Sequence, residues 1–304
     1  MPGISNYIGR FAPSPTGSLH FGSLLAALAS FLDARANQGR WLVRMEDLDP
    51  PREIAGAAAQ ILRTLENFGF YWDGPVRYQS QHLDLYQQAL QQLRKQQQAY
   101  PCYCSRQQIA QRHAAVYDGY CQQQKQPPRP PEPNHPAAIR VIVGDSRIGF
   151  DDAIQGHYQQ QLKTEVGDFV IRRRDGLYAY QLAVVVDDAA QQVSHIVRGY
   201  DLLDSTPRQI QLQQRLQLPT PEYAHIPILV NSQGQKLSKQ TYASAIDPDQ
   251  PHRSLFRALQ LLGQQPPEDL RAGSTHEMLR WGINHWQLSW VPRQPHLAES
   301  LLES

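Results

Sequence analysis

The sequence predicts an α/β fold built on an open parallel sheet, and three observations carry that prediction. An apolar segment from Tyr7 to Phe11 is stopped by Pro13, Pro15 and Gly17, and apolar residues at helical spacing follow at once: Phe21, Leu24, Leu25, Leu28, Phe31 and Leu32. A second apolar run, Trp41 to Met45, completes strand, turn, helix and strand, the βαβ unit that opens parallel nucleotide-binding sheets. Further short apolar runs at Phe169–Arg172, Leu182–Val186 and His195–Val197 read as strands that resume the parallel pattern.

Between these blocks the periodicity predicts helices at Ala57–Phe70 and Leu83–Gln97. A cysteine-bearing segment comes next, then six prolines in the ten residues from Pro127 to Pro136, an irregular linker. Ala138–Val143 and Ile148–Ile154 read as strands of an insertion. Thr206 with Pro207 behind it marks the cap and first turn of a helix to Leu218. Ile226–Val230 reads as a strand that runs into the turn Asn231-Ser232-Gln233-Gly234, and the 65 residues after Lys239 read as mostly helical. The expected organisation is 1–98 and 166–242 as two halves of a nucleotide-binding catalytic domain. An inserted subdomain occupies 99–165 and a short helical region 243–304.

Composition narrows the function. Hydrophobic residues make up 41% of 304 residues, enough for a packed core, and no apolar run approaches the length of a membrane span. The N-terminus lacks the basic and apolar regions of a secretory signal, so the chain is expected in the cytoplasm, and as a monomer. A formal net charge of +1 confines any nucleic-acid contact to local patches. Three cysteines, Cys102, Cys104 and Cys121, are an odd count without an export signal; they point to metal binding or reduced thiols rather than a disulfide framework.

Two segments carry phosphate chemistry. In the first, Arg10 to Gly17 followed by Leu19-His20-Phe21-Gly22, the glycines leave room for a ligand, and His20 stands at a helix start whose N–H groups favour an anion. In the second, Lys236-Leu237-Ser238-Lys239-Gln240, two lysines flank a serine after a strand and a glycine turn, which suits a departing pyrophosphate. Together they resemble the class I aminoacyl-tRNA synthetases of the glutamyl type. Arg10–Gly17 matches that family's RFAPSPTG opening. Leu19–Ser23 is similar to its HIGH box with Ser23 in place of the second histidine. Lys236–Gln240 resembles KMSKS with Leu237 for Met and Gln240 for the last Ser, and Arg44–Pro50 is similar to its acidic strand-end segment. The stretches LHFGSL, RWLVRMEDLDPPRE, RRRDGLYAYQLAVVVDD and KLSKQ extend the resemblance from about Tyr7 to Thr241. They point to a shortened branch that places glutamate on the queuosine base of tRNA(Asp).

The resemblance implies a Rossmann-type sheet with a zinc-containing insertion and a short C-terminal extension. It implies a ligase that activates L-glutamate with ATP and Mg²⁺ without tRNA, then transfers it to tRNA(Asp) carrying queuosine at the wobble position. ATP is expected at Arg10, Ala12, Pro13, Ser14, His20, Gly22, Lys236, Leu237, Ser238 and Lys239, with His20 and Lys239 stabilising the phosphates. Glutamate is expected at Arg10, Ala12, Ser14, Glu46, Tyr180 and Arg198: arginines for the carboxylates, Glu46 for the ammonium, Tyr180 for a hydroxyl and a wall. A zinc site needs four ligands, and the three cysteines leave one open among His113, Tyr117 and Tyr120. Imidazole chemistry favours His113, whereas the resemblance assigns Tyr117. The arginine run Arg172-Arg173-Arg174 reads equally as a phosphate contact or a solvated strand end. Two rival readings remain: a truncated glutamyl-tRNA synthetase charging a 3′ end, which the short C-terminal region disfavours, and an idle RNA-binding paralogue, which Arg10, His20, Glu46, Tyr180, Arg198 and Lys239 together disfavour.

Overall fold

A computed structural model describes residues 6–111, 116–123, 136–237, 246 and 250–302. Strand β1 (Ile8–Phe11) leads through the Pro/Gly turn into helix α1 (Phe21–Ala36), which returns the chain to β2 (Arg40–Met45). The pairs Ile8–Arg40 and Phe11–Val43 set β1 and β2 parallel, as the βαβ pattern requires. Helix α2 (Ala57–Asn67) then leads to the short β3 (Arg77–Tyr78), parallel to β2. Helix α3 (Leu83–Lys95) opens a second layer, in which β4 (Ala99–Cys102), β5 (Ala138–Val141) and β8 (Phe169–Arg172) form an antiparallel sheet. Between β4 and β5 lie α4 (Arg106–Gln111) and α5 (Tyr120–Gln123). Between β5 and β8 lie a hairpin of β6 (Arg147–Asp152) and β7 (Gly156–Gln161), and the single-turn α6 (Leu162–Glu165).

The chain returns to the parallel sheet through α7 (Tyr180–Ala190), β9 (His195–Gly199), α8 (Thr206–Leu216) and β10 (Glu222–Ile226). β10 pairs parallel with β9 and, through Tyr223 and Asp152, with β6. β9 lies beside β1, because Ser194 N–H donates to the Ile8 carbonyl at 2.9 Å and the Ser194 hydroxyl accepts from Ile8 N–H at 2.8 Å. The strands therefore run β3-β2-β1-β9-β10-β6-β7, and the order reverses between β1 and β9. That reversal is the topological switch point, where an open α/β sheet leaves a crevice at its strand ends. Neighbouring residues of β9 face opposite layers: Val197 packs in the core with α1, and Ile196 packs with Ile210 of α8. β11 (Ile228–Val230) and β12 (His296–Ala298) pair in parallel beyond β10. Helices α9 (Pro251–Leu261) and α10 (Thr275–His285) share the α1 core through Leu255, Leu259, Met278 and Leu279.

The structure departs from the sequence expectations at several elements. Leu182–Val186 is helix, not strand: Leu182 to Asp188 are all buried inside α7, and an apolar run enclosed on every side has no period that separates strand from helix. Phe169–Arg172 is a strand but pairs antiparallel to β5, outside the parallel sheet. Ile226–Val230 is broken at Pro227, whose missing N–H ends the ladder and lets β11 leave for β12. Thr206 is the first helical residue of α8, with Ser205 at the cap position; its hydroxyl donates to the Leu202 carbonyl at 3.3 Å. Most of the proline-rich linker lies outside the described residues.

Candidate active site at the strand switch point

β1 carries Arg10 to its C-terminal end, and Glu46 follows the last residue of β2. The loop between β1 and α1 is fastened to this neighbour, since Pro13 accepts from Glu46 N–H at 2.9 Å and Pro15 from Ile54 N–H at 3.0 Å. Ala12 and Pro13 are thereby held partly buried above the strand ends, with Ser14 exposed. Across the switch point, β9 carries Arg198, and Tyr180 begins α7. Four of the residues expected at a glutamate pocket thus stand on neighbouring strand and helix ends.

A buried charge network underlies them. Asp188 of α7 accepts from Arg10 Nε at 3.2 Å and from Arg44 Nη1 at 2.8 Å, and Arg44 Nη1 also reaches Gln191 at 2.8 Å. Arg44 Nη2 lies 3.6 Å from Glu46. Next to it, Asp187 accepts from Arg77 Nε at 2.9 Å, Gln79 at 2.8 Å and the Tyr86 hydroxyl at 2.6 Å. Burial pushes the Asp188 carboxyl up, but the Arg44 and Arg10 guanidiniums outweigh it and hold the group below its ordinary value. At Glu46 burial prevails over the same two cations, and with Asp188 and Asp187 adding repulsion its pKa is pushed up to about 7. Tyr180 is raised by burial, against the pull of Arg198.

The two arginines present different ends. Arg10 uses only Nε; among the described residues nothing bonds its terminal nitrogens, which leaves the two-pronged edge that grips a carboxylate. Arg198 is tied on most sides: Nε donates to His225 Nε2 at 3.0 Å, and Nη2 to the Thr206 hydroxyl at 2.8 Å and the Leu202 carbonyl at 3.3 Å. Nη1 has a weaker partner, the Tyr180 hydroxyl at 3.4 Å.

On the phosphate side, His20 caps α1. Its Nδ1 accepts from Ser23 N–H at 3.2 Å, and Nε2 lies 3.2 Å from the Ser23 hydroxyl. A Cβ on Gly22 would stand 3.2 Å from the imidazole, so the glycine makes room for that ring. Lys236 pairs with Asp201 at 2.5 Å, and Leu237 is buried with its N–H bonded to the Leu229 carbonyl at 2.8 Å. Ser238 and Lys239 lie outside the described residues.

The cysteines form a separate group on the β4–α5 side. The Tyr117 hydroxyl lies 3.3 Å from Cys102 Sγ and 3.8 Å from Cys104 Sγ, and Cys104 and Cys121 sulfurs lie 3.3 Å apart. A tetrahedral ion with metal–sulfur bonds of about 2.3 Å spaces its ligands by roughly 3.7 Å, which these donor atoms fit. Burial pushes the Cys121 thiol up, but hydrogen bonds from Tyr117 and from Tyr103 N–H more than reverse it. Tyr120 is 46% exposed, and His113 lies outside the described residues. Arg174 Nη2 donates to the carbonyls of Tyr103 at 2.8 Å and Cys104 at 3.3 Å, binding this group to the catalytic layer. Arg173 pairs with Asp49 and Asp175, and Arg172 lies over the Tyr178 ring, so the arginine run is engaged within the chain.

Sequence reasoning missed Asp187, Asp188, Arg44, Asp152 and His225 as parts of this site. The acid pair directly after Val184-Val185-Val186 was the available signal, because two carboxylates closing a fully apolar run need buried cations. Reading that run as a strand hid it.

A family model described as tRNA synthetases class I (E and Q), catalytic domain, matches residues 8–290. The chain is 53% identical to a protein of Ectopseudomonas mendocina (strain ymp) named Glutamyl-Q tRNA(Asp) synthetase, over 97% of this chain and 98% of that protein. It is 55% identical to one of the same name from Neisseria meningitidis serogroup C, over 94% and 98%. The crystal structure of glutamate-tRNA synthetase from Elizabethkingia anophelis superposes with a TM-score of 0.79 at 25% identity, covering 98% of this chain and 69% of that one.

Glu46 gives the free protein a characteristic pH response. Its carboxyl holds a proton up to about pH 7 when folded and only to about 4.5 otherwise, so the folded state binds more protons between these values. Raising the pH across that window therefore removes the Glu46 contribution to stability, roughly 3 kcal/mol at full effect. Chemical denaturation from pH 4.5 to 7.5 should show Glu46→Gln gaining stability over the parent as pH rises; parallel curves would assign the carboxyl an ordinary value.

Proposed function

We propose that this chain, which belongs to the class I tRNA synthetases (E and Q) and within them to the family of the Glutamyl-Q tRNA(Asp) synthetases, condenses L-glutamate with ATP and places the glutamyl group on the queuosine of tRNA(Asp). The observation that carries the reading is the match to relatives of that name over almost the whole of both chains. The geometry at the switch point supports the activation half.

In this reading Arg10 grips the side-chain carboxylate with its two terminal nitrogens, and Arg198 offers Nη1, with Tyr180, to the other carboxylate. Glu46 takes the ammonium, which requires it to give up its proton; a cation brought against it supplies the favourable charge that Arg44 alone does not. Ala12 and Ser14 border both substrates on the loop above β1. An α-carboxylate oxygen attacks the α-phosphate, the bond to the bridging oxygen breaks, and pyrophosphate leaves. Positioning and charge do the work, without a covalent nucleophile. His20 would exchange the Ser23 hydroxyl at Nε2 for a phosphate oxygen while Nδ1 stays on the helix cap, with Pro13 and Gly22 bordering the triphosphate. Lys236, Leu237, Ser238 and Lys239, the last two outside the described residues, are assigned to the departing pyrophosphate, with Lys239 meeting its charge; Mg²⁺ on the triphosphate would neutralise part of it. A hydroxyl of the queuosine cyclopentenediol then attacks the acyl carbon, and AMP leaves. Cys102, Cys104 and Cys121, with Tyr117 as the fourth ligand, would hold a structural zinc that ties down the β4–α5 segment.

Labelled glutamate should enter tRNA(Asp) only when queuosine is present. Periodate treatment should abolish labelling by destroying the diol, and removal of the 3′ adenosine should leave it intact. Loss of labelling on trimming would instead make the 3′ ribose the acceptor.

Metal analysis of protein prepared without chelator should find one zinc per chain. Cys121→Ser should lower metal content and thermal stability more than glutamate activation. Protein free of zinc with an unchanged melting temperature would refute the site.

A further inference from the structure

Arg198 does not stand alone on β9; behind it runs a buried polar chain. Its Nε donates to His225 Nε2 at 3.0 Å, and His225 Nδ1 lies 2.5 Å from Asp152 Oδ2, both of these side chains being fully buried. The three residues come from β9, β10 and β6, adjacent in the sheet. An arginine Nε always carries its hydrogen, so His225 Nε2 must offer a lone pair and the ring proton must sit on Nδ1, pointing at Asp152. The other oxygen of Asp152 is fully engaged: Oδ1 accepts from the N–H groups of Ile154 at 3.0 Å, Gln155 at 2.8 Å and His225 at 3.1 Å. The carboxylate therefore cannot turn, and Oδ2 is the only face it shows to the ring.

We propose that Asp152 and His225 are positioning residues for the amino-acid substrate: Asp152 fixes the Nδ1–H form of His225, and the Nε2 lone pair so exposed holds the Arg198 guanidinium with Nη1 turned to the pocket beside Tyr180. Burial, opposed by Asp152 and aided by Arg198, lowers the His225 pKa to about 4, so the ring is neutral at working pH. The inference rests on the glutamate-activation reading for its substrate, but not for its proton.

Asp152→Asn tests it with one atom changed. Because three N–H groups claim Oδ1, the new NH₂ must replace Oδ2 and donate to Nδ1. The ring proton then moves to Nε2, where it opposes Arg198 Nε–H. Imidazole nitrogen NMR on the free protein near pH 7 should place the His225 proton on Nδ1 in the parent and on Nε2 in Asp152→Asn; a parent ring protonated on Nε2, or on both nitrogens, overturns the relay whatever the substrate. In ATP–pyrophosphate exchange Asp152→Asn should raise the glutamate KM about 10–100-fold, with the ATP KM within about twofold and a smaller change in kcat. His225→Gln sets an amide oxygen at the Nε2 position and should keep the glutamate KM within about threefold of the parent, alone or combined with Asp152→Asn. A well-folded Asp152→Asn with parental glutamate KM, or a His225→Gln as impaired as Asp152→Asn, refutes the positioning role. A parent lacking glutamate-dependent exchange but carrying the Nδ1 proton would refute the substrate reading and leave the relay standing.

Discussion

Two guanidiniums are buried beneath the ends of neighbouring strands, and Asp188 is what makes that possible. A buried cation without a partner is untenable, and removing one member of a buried pair costs about 3–5 kcal/mol. One oxygen of Asp188 meets both Arg10 and Arg44. The rest follows from bringing a helix residue to that point: α7 must lie directly behind β1 and β2, and its Leu182–Val186 stretch must be apolar because it packs between layers. Asp187, one residue earlier, is locked by Arg77, Gln79 and Tyr86, so the segment from β3 to α3 is bound to the same helix.

The same constraint prepares the site for its substrate. Asp188 satisfies Arg10 from the side, through Nε, and so leaves the terminal nitrogens to a ligand. The cations near Glu46 are already engaged by Asp188, so they do not keep it ionised, and burial holds it half-protonated near neutrality. In the proposed function, an amino acid bearing one ammonium and two carboxylates would supply the charges that the free site lacks. Arg198, restrained on three sides, adds direction rather than flexibility.

What could be read from the sequence was what local rules govern. The Pro/Gly turn, the amphipathic α1 and the strand ends bearing Arg10, Glu46 and Arg198 were legible because turn chemistry and periodicity act over a few residues. Tyr117 had to compete with Tyr120 and His113, and the choice turns on which hydroxyl a fold lays against three sulfurs. The Asp187–Asp188 pair was illegible while its run was read as a strand. Asp152 and His225, 73 positions apart, become partners only through the β6–β10–β9 register. Ser238 and Lys239 were legible as a motif and lie outside the described residues.

We propose that Arg10, a buried cation held by Asp188, selects the substrate by its side-chain charge. Glutamate-dependent ATP–pyrophosphate exchange, run without any RNA, tests it most directly. The parent protein should exchange with L-glutamate and at least about a hundredfold less efficiently with L-glutamine, whose neutral amide leaves the buried guanidinium unpaired. Arg10→Ala should lose the glutamate reaction almost entirely. Equal exchange with both amino acids, or undiminished glutamate exchange in Arg10→Ala, would rule out selection by the buried guanidinium.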